Sequence, residues 1–282
     1  AAGDPHLGRS ALDAVELMNV GVQFLREHMP EKARVHYAFL DAGGKAPNVV
    51  QDYAKLEYSI RSPRVAEAME LCERVKKIAK GAAMMTETTA DIEFRSALSE
   101  TIPNEMLEKV LQDNLEAAPF PVYTKEEYEF GAAINKSYEV KGSAADLAAK
   151  LNPEWKKILA DRAAVKGWNL NDLVLPYKHW DFPICASTDV GDVSFICPTA
   201  MFFAPTAAAR IPEHSWQYVA CNNTSIAHKG LIYAGQVLAG AGIDLLENPG
   251  KVKQAKEEFI RNLDGRIYCC PIPDDIQPDV KK

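Results

Sequence analysis

The chain has 282 residues, of which 47% are hydrophobic and 25% are charged, a composition typical of globular proteins with one or two hydrophobic cores. Its formal net charge of -7 gives no electrostatic basis for binding nucleic acid or an anionic membrane, so neither is expected as a partner. No apolar stretch reaches the roughly 18 residues of a membrane-spanning helix, the polar first residues do not resemble a signal peptide, and a cytoplasmic location is expected.

The six cysteines show neither the C-x-x-C spacing of zinc and redox sites nor the dense spacing of secreted disulfide domains. They are expected to be reduced thiols, most of them buried. Adjacent Cys269 and Cys270 are interpreted as thiols on opposite faces of a short terminal strand. Redox chemistry is the alternative interpretation of this pair.

The first elements in the chain are a helix and two strands. Ser10 is a suitable N-cap, and apolar side chains recur from Ala11 to Met29 at spacings of three and four residues, which predicts a helix. Alternation of apolar and polar residues predicts strands at 33–40 and 54–61. The pair Gly43-Gly44 predicts a turn between them.

A second helix is predicted from Pro63 to about Met85, and alternation from Thr88 to Arg95 predicts a third strand. The order helix, strand, strand, helix, strand is typical of a ferredoxin-like unit without its first strand. That strand would lie inside the sheet, and its loss would leave backbone groups unpaired on both neighbours. The chain is therefore expected to begin in the middle of a longer protein.

The remaining chain is predicted to be mostly helical. Residues 102–174 are rich in helix formers interrupted by prolines and are expected to form several helices. Short apolar runs from Phe182 to Pro205 are interpreted as buried strands joined by a polar loop at 187–189. Two further helices are expected, one from Thr224 or Ser225 to about Leu246 and one from Pro249 to Gly265, before a short strand and a proline-rich tail.

His214 is the strongest local candidate for chemistry when only the residues are considered, because it follows a predicted strand end, where loops expose functional groups. A lone histidine is nevertheless more often structural than a metal ligand. His228 lies on a predicted helix and is interpreted as a satisfied surface or interface residue. The sequence contains no H-x-x-H, H-E-x-x-H, G-x-S-x-G or phosphate-loop motif.

Five sequence blocks, in order, resemble the two-metal amidohydrolases of the aminoacylase/carboxypeptidase family. Pro5 to Val15 looks like the entry to the first helix of that family's lid domain, and Gly43 to Arg61 resembles the lid pattern that follows. The other three blocks resemble the B-subunit group of the aminobenzoyl-glutamate hydrolases in particular: Ala186 to Ser194, His214 to Gln217, and Ser225 to Gly230. Their order over nearly the whole chain is more specific than any single block.

The resemblance implies an α+β or α/β protein that combines a ferredoxin-like lid with the C-terminal part of an α/β metallopeptidase catalytic domain. Residues 1–98 would form the lid, incomplete at its N-terminus, and residues 99–282 would belong to the catalytic domain. The implied assembly is a homodimer through the lid. A companion subunit is the second partner that the resemblance suggests.

The resemblance also implies two divalent metal ions, zinc or manganese, with a bridging water whose proton a glutamate removes before hydroxide attacks an amide carbonyl. His214 matches the C-terminal metal-ligand histidine. Asn48 and Arg61 match the lid residues that hold the substrate's carbonyl or carboxylate, and Asp189 matches a loop that lines the pocket. Each of these three residues also has a purely structural alternative. Asn48 would be a turn residue, Arg61 an exposed strand residue, and Asp189 a cap of a helix or turn.

The sequence departs from this family in two respects. The H-x-D ligand pair, the bridging aspartate, the Glu-Glu pair with the general base, and the lid histidine are all expected upstream of Ala1. A single histidine does not hold a metal pair. In addition, Thr206 to Arg210 is rich in alanine where many relatives have a glycine-bearing turn.

The leading functional hypothesis is a hydrolase that cleaves the amide bond of N-acyl or N-aroyl amino acids, with p-aminobenzoyl-glutamate as the natural candidate. This chain alone is expected to be inactive. The alternative is a non-enzymatic, dimerising or binding subunit that has lost the metal-binding half. The gene sequence upstream of Ala1 separates the two hypotheses, because only the enzyme requires an open frame that encodes H-x-D and Glu-Glu.

Overall fold

A computed structural model describes residues 3–138, 153–179 and 186–277. The chain divides into two compact units, the first formed by residues 1–101, 183–193 and 267–282, and the second by residues 102–182 and 194–266. The beginning of the apolar run predicted at 182–205 lies outside the described residues, as does Cys185.

The described residues contain helices and one small sheet. In chain order the elements are α1 (Ala11–Leu25), β1 (Arg34–Asp41), β2 (Lys55–Arg61), α2 (Val65–Met85), α3 (Glu105–Ala117), α4 (Lys125–Lys136), α5 (Pro153–Lys166), α6 (Val190–Ser194), α7 (Trp216–Cys221), α8 (Ser225–Glu247) and α9 (Pro249–Leu263). The first four confirm the predicted helices and strands, with small differences at their ends. Over the described residues, no helix has the length and apolar character that a membrane crossing needs.

The sheet of the first unit has one apolar face, which packs against α1 and α2. The two strands pair antiparallel, and Val35, Tyr37 and Phe39 lie opposite Ile60, Tyr58 and Leu56. The buried cluster between this face and the two helices consists of Val22, Leu25, Val35 and Val75. Because neighbouring residues of a strand point to opposite faces, the paired residues Arg34 and Arg61 lie on the other face of the sheet.

The prediction of a third strand at 88–95 is wrong, because the sheet of the described residues has two strands. Side chains nevertheless join this segment to β2, with 3.5 Å between Lys55 Nζ and Glu93 Oε2 and 3.2 Å between Arg95 Nη1 and Glu57 Oε1. From the first pair to the second, the position advances by two residues both in β2 and in the 88–95 segment. The 88–95 segment therefore runs in the same direction as β2. An alternating pattern requires only an extended chain, whereas a strand also requires a hydrogen-bonded neighbour.

The prediction of buried strands at 182–205 is also wrong for the described part of that run. Residues 190–194 form the short helix α6, and residues 195–206 contain no strand. Phe202 and Ala204 still pack against a core cluster while Phe203 is exposed, so the alternation persists without a sheet. The short strand predicted around Cys269 and Cys270 is likewise not found.

The second unit is built mainly from packed helices. Its largest buried cluster joins α3 to α8 through Val110, Leu111, Tyr233, Val237 and Ala241. The first turn of α3 is held by α9, because the Glu258 carboxylate accepts hydrogen bonds from the backbone N–H groups of Glu105 (2.6 Å) and Met106 (3.0 Å). A carboxylate at a helix N-terminus satisfies donors that have no partner inside the helix.

The described cysteines are free thiols, but most of them are not buried. Cys221 is buried, Cys72 is half-buried, and Cys197, Cys269 and Cys270 are exposed. The prediction that most are buried is therefore wrong. A thiol's preference for the interior is a tendency of the residue type, and packing decides each position.

Candidate functional site

The loop between β1 and β2 carries Asn48 on its surface. The loop turns at Gly43 and Gly44, whose φ values of 82° and 107° lie in the left-handed region that favours glycine. A Cβ at Gly43 would also approach the Tyr53 carbonyl oxygen to 2.5 Å. Glycine is thus required at this turn, and the turn leaves the Asn48 side chain exposed.

Arg61 lies at the end of β2 on the face opposite the apolar core, as the alternation in the sequence predicts. Its Nη2 donates a hydrogen bond to Ser187 Oγ at 2.7 Å. In the described part of the chain no ion pair joins Arg61 to a carboxylate. The structure therefore brings Arg61 together with the loop that contains Asp189, although the partner in that loop is Ser187.

Asp189 is exposed and directly precedes α6. Its backbone carbonyl accepts a hydrogen bond from Asp192 N at 3.1 Å, and its carboxylate accepts one from Thr188 Oγ1 at 3.3 Å. The backbone bond closes the first turn of α6, and a capping role for the Asp189 side chain stays a prediction. Asp189 lies two residues after Ser187, the hydrogen-bond partner of Arg61.

The loop at 186–189 is anchored by Asp192, a residue that sequence analysis did not single out. The Asp192 carboxylate accepts hydrogen bonds from Ser99 Oγ (2.5 Å) and from the Tyr268 hydroxyl (3.2 Å). Gly191 packs directly against the backbone of Ser99, because a Cβ at Gly191 would lie 2.0 Å from the Ser99 carbonyl oxygen. The segment that presents Ser187 is thus fixed to two other segments of the first unit.

His214 belongs to the second unit, at an exposed turn before α7. Its φ of 60° is in the left-handed region, which is uncommon for residues other than glycine. Four residues earlier, Arg210 has a φ of 66°. Residues 207–209 between Thr206 and Arg210 are buried alanines, so small side chains fill the place where the sequence departs from the glycine-bearing turn.

Over residues 3–138, 153–179 and 186–277, no group of three or more His, Cys, Asp or Glu side chains is arranged to hold a metal ion. His214 thus stands as a single prospective ligand. A two-metal centre needs several ligands for each ion. The described residues by themselves do not provide that set of ligands.

A polar cluster in the second unit was also missed by sequence analysis. Glu108 Oε2 accepts a hydrogen bond from the Tyr177 hydroxyl at 2.9 Å and lies 2.8 Å from His179 Nδ1. Burial, and then the hydrogen bond to Glu108, raises the pKa of Tyr177 above its ordinary value, so this phenol is a neutral donor at pH 7. Tyr177 and His179 are 69 and 71 positions away from Glu108 in the sequence, and no local motif marks the three residues.

Comparison with known proteins finds a relative that is similar along the whole of this chain. No family model matches the chain. The chain is 41% identical, over 286 aligned positions, to the B-subunit of p-aminobenzoyl-glutamate hydrolase from Escherichia coli (strain K12). The alignment covers 100% of this chain and 59% of that protein, so the chain spans less than two thirds of the relative's length. The chain is thus similar, along its whole length, to part of the p-aminobenzoyl-glutamate hydrolase B-subunit.

Proposed function

We propose that this chain is part of a hydrolase that cleaves the amide bond of N-acyl or N-aroyl amino acids, with p-aminobenzoyl-glutamate as its substrate. The observation that carries the proposal is the 41% identity, over the whole chain, to a protein named as a hydrolase of this compound. Hydrolysis adds water across the amide bond and releases p-aminobenzoate and glutamate. A carboxylate-bearing leaving group therefore has to be held in place.

Arg61 is the residue of this chain that we assign to that task. Its guanidinium is held by the neutral Ser187 hydroxyl at 2.7 Å, so its positive charge is available for a ligand. A guanidinium binds a carboxylate through two parallel hydrogen bonds, which fixes both the position and the orientation of the substrate. Asn48, exposed on the neighbouring loop, is proposed to hold the substrate's carbonyl through its side-chain amide, and Asp189 to line the pocket.

Two divalent metal ions, zinc or manganese, remain a prediction from the family resemblance, as does the metal-ligand role of His214. Among the described residues only His214 is matched to a metal-ligand position, so the steps assigned to this chain are binding and orientation of the substrate. The relative's longer sequence has room for further ligands, since 41% of its length has no counterpart here (100% less the 59% covered).

We further propose that residues 1–98 form a dimerising lid of ferredoxin-like type, and that residues 99–282 belong to a catalytic domain. Two helices on one face of an antiparallel pair, with the 88–95 segment beside β2, support this arrangement. The relative's name includes the word subunit, which supports a companion subunit, while the homodimer remains a prediction from the family resemblance.

The direct test is hydrolysis of p-aminobenzoyl-glutamate. The 282-residue chain and the protein encoded by the complete gene are purified, and release of p-aminobenzoate is measured with zinc or manganese, with and without the companion subunit. We expect release only from the complete protein. Release by the 282-residue chain contradicts its predicted inactivity, and failure of every combination contradicts the hydrolase proposal.

A further inference from the structure

Two arginines face each other across the sheet at the end that carries the candidate site. Arg34, the first residue of β1, is the register partner of Arg61, the last residue of β2. Directly opposite residues of an antiparallel pair have Cβ atoms about 5 Å apart on the same face. Like charges in such a pair are destabilising, so the arrangement has an energetic cost that the fold alone does not require.

The present hydrogen-bond partners of both guanidinium groups are uncharged. Arg61 donates to Ser187 Oγ. Arg34 Nη1 donates to the backbone carbonyl oxygens of Glu31 (2.7 Å) and Ala33 (2.6 Å). Neither arginine forms an ion pair with a carboxylate of the described residues, so two positive charges remain without compensation at one end of one face.

The other two charged residues on this face of β2, Lys55 and Glu57, are already paired, Lys55 with Glu93 at 3.5 Å and Glu57 with Arg95. Glu57 lies on the same face as Arg61, four positions earlier, and forms an ion pair of 3.2 Å with Arg95. Its carboxylate is therefore committed to another cation. The uncompensated end of the face consists of the two arginines, and it is complementary to a ligand with two negative charges.

We propose that Arg34 and Arg61 form a dicarboxylate-binding pair, in which Arg34 is the specificity-determining residue that binds the side-chain carboxylate of a glutamate moiety. Ser187 is a positioning residue that holds one edge of the Arg61 guanidinium. The proposal rests on the proposed function and extends it, because Arg61 alone accounts for one carboxylate. The glutamate moiety carries two carboxylates separated by a short carbon chain, which matches two neighbouring cations on one sheet face.

The test compares p-aminobenzoyl-glutamate with p-aminobenzoyl-glutamine, in which a neutral amide replaces the side-chain carboxylate. Binding to the 282-residue chain is measured by titration calorimetry. Arg34→Gln should weaken binding of the glutamate compound by about 10-fold to 100-fold, the usual effect of removing a hydrogen bond to a charged group, and leave the glutamine compound unchanged. Arg61→Gln should weaken both compounds. Ser187→Ala should also weaken both, and Ser187→Thr, which keeps the hydroxyl, should restore binding.

Arg64→Gln is the matched control, because it removes the same charge three residues from Arg61. If Arg64→Gln and Arg34→Gln reduce the preference for the glutamate compound over the glutamine compound equally, the effect comes from the overall positive charge of the region. That result would overturn the proposed arginine pair. The pair is also overturned if the wild-type chain binds both compounds equally or binds neither. Thermal melting of each variant separates loss of binding from loss of folding.

The same variants in the complete protein distinguish this inference from the proposed function. If turnover is seen but Arg34→Gln lowers kcat/KM equally for both compounds, the arginine pair is wrong and the hydrolase stands. If binding discriminates through Arg34 but no complete protein hydrolyses either compound, the pair stands and the hydrolase is wrong.

Discussion

His214 combines a predicted chemical role with an unusual backbone conformation. Its φ of 60° costs a residue with a Cβ about 1 kcal/mol or more, and glycine avoids this cost. Histidine therefore occupies a position whose backbone conformation glycine adopts at lower energy. Strained positions of this kind are concentrated at functional sites, and this supports testing His214 as a ligand.

Substitution of His214 by glycine separates the side chain from the backbone. We expect His214→Gly to keep or raise the free energy of unfolding by up to about 1 kcal/mol, because the left-handed conformation becomes unstrained. If His214 is a ligand, the same variant of the complete protein should bind less zinc or manganese, since one donor is lost. Metal content is measured by elemental analysis after dialysis.

His214→Asn serves as the control for the histidine side chain, because asparagine tolerates the left-handed region and keeps a polar group. Unchanged metal content in both variants would leave His214 with a structural role. A large fall in stability of His214→Gly would contradict the strain argument.

At the scale of elements, the packing of α8 against the preceding segment depends on a glycine. A Cβ at Gly230 would come within 1.9 Å of the Pro205 carbonyl oxygen and 3.1 Å of Thr206 Cγ2. Gly235, five residues further along the same helix, has nothing within 4 Å of the corresponding position. The two glycines therefore differ in packing while they share the same helix.

The substitutions Gly230→Ala and Gly235→Ala should have opposite effects on stability. Alanine favours a helix by about 1 kcal/mol relative to glycine, so Gly235→Ala should stabilise the chain. At Gly230 the clash is with backbone, and overpacking should cost about 1 to 3 kcal/mol in spite of the better helix propensity. Urea unfolding measures both, and equal effects of the two substitutions would refute the close approach.

Glu127 links the start of α4 to the start of α8. Its carboxylate accepts hydrogen bonds from Thr124 N (2.6 Å), Ser225 Oγ (2.5 Å) and Lys229 Nζ (2.7 Å), and the residue is buried. Burial acts to raise the pKa of Glu127. The hydrogen bonds from Lys229, Ser225 and Thr124 outweigh it, so the pKa is lowered below its ordinary value.

A carboxyl group whose pKa is lower in the folded state adds stability above the unfolded-state pKa and loses it as the pH falls through the folded pKa. Unfolding free energy should therefore decrease between pH 5 and pH 3, as expected for an unfolded glutamate pKa of about 4.3. Glu127→Gln should lower the free energy of unfolding at pH 7 by about 2 kcal/mol and reduce this acid-side decrease. An unaltered pH profile in the variant would show that Glu127 does not contribute.

At the scale of the whole molecule, α8 has apolar side chains on both its buried and its exposed sides. From Gly230 to Ile243 the helix has no charged residue. The exposed large side chains of the helix are Leu231, Ile232, Leu238, Ile243 and Leu246. A helix that is apolar all round normally lies in the interior of a protein, and exposed apolar patches of this kind promote association.

The 282-residue chain is therefore expected to associate in solution through this face. Leu231→Lys combined with Leu238→Lys should shift the chain towards the monomer and lower its binding of a hydrophobic dye. The free energy of unfolding should change by less than about 0.5 kcal/mol, because both side chains are exposed. Analytical ultracentrifugation measures the shift, and Val122→Lys, another exposed apolar position, is the control that should leave association unchanged.

The sequence by itself determined the elements whose signals are local. Apolar spacing, a cap at Ser10 and the glycine pair at 43–44 sufficed for α1, β1, β2 and α2, and the alternation in β2 correctly separated Arg61 from the apolar face. These features depend on neighbours within a few residues, and the chain carries that information directly. The resemblance was likewise available from blocks that occur in order along the chain, and the comparison found a similar protein of that group, 41% identical over the whole chain.

The tertiary structure alone decided what depends on residues far apart in the chain. The segments 88–95 and 195–206 alternate like strands but lack a strand partner among the described residues. The contact between Arg61 and Ser187 spans 126 positions, and the opposition of Arg34 and Arg61 follows from the register of the two strands. Strand pairing and charge compensation are properties of the neighbours that a fold supplies, and no local pattern specifies those neighbours.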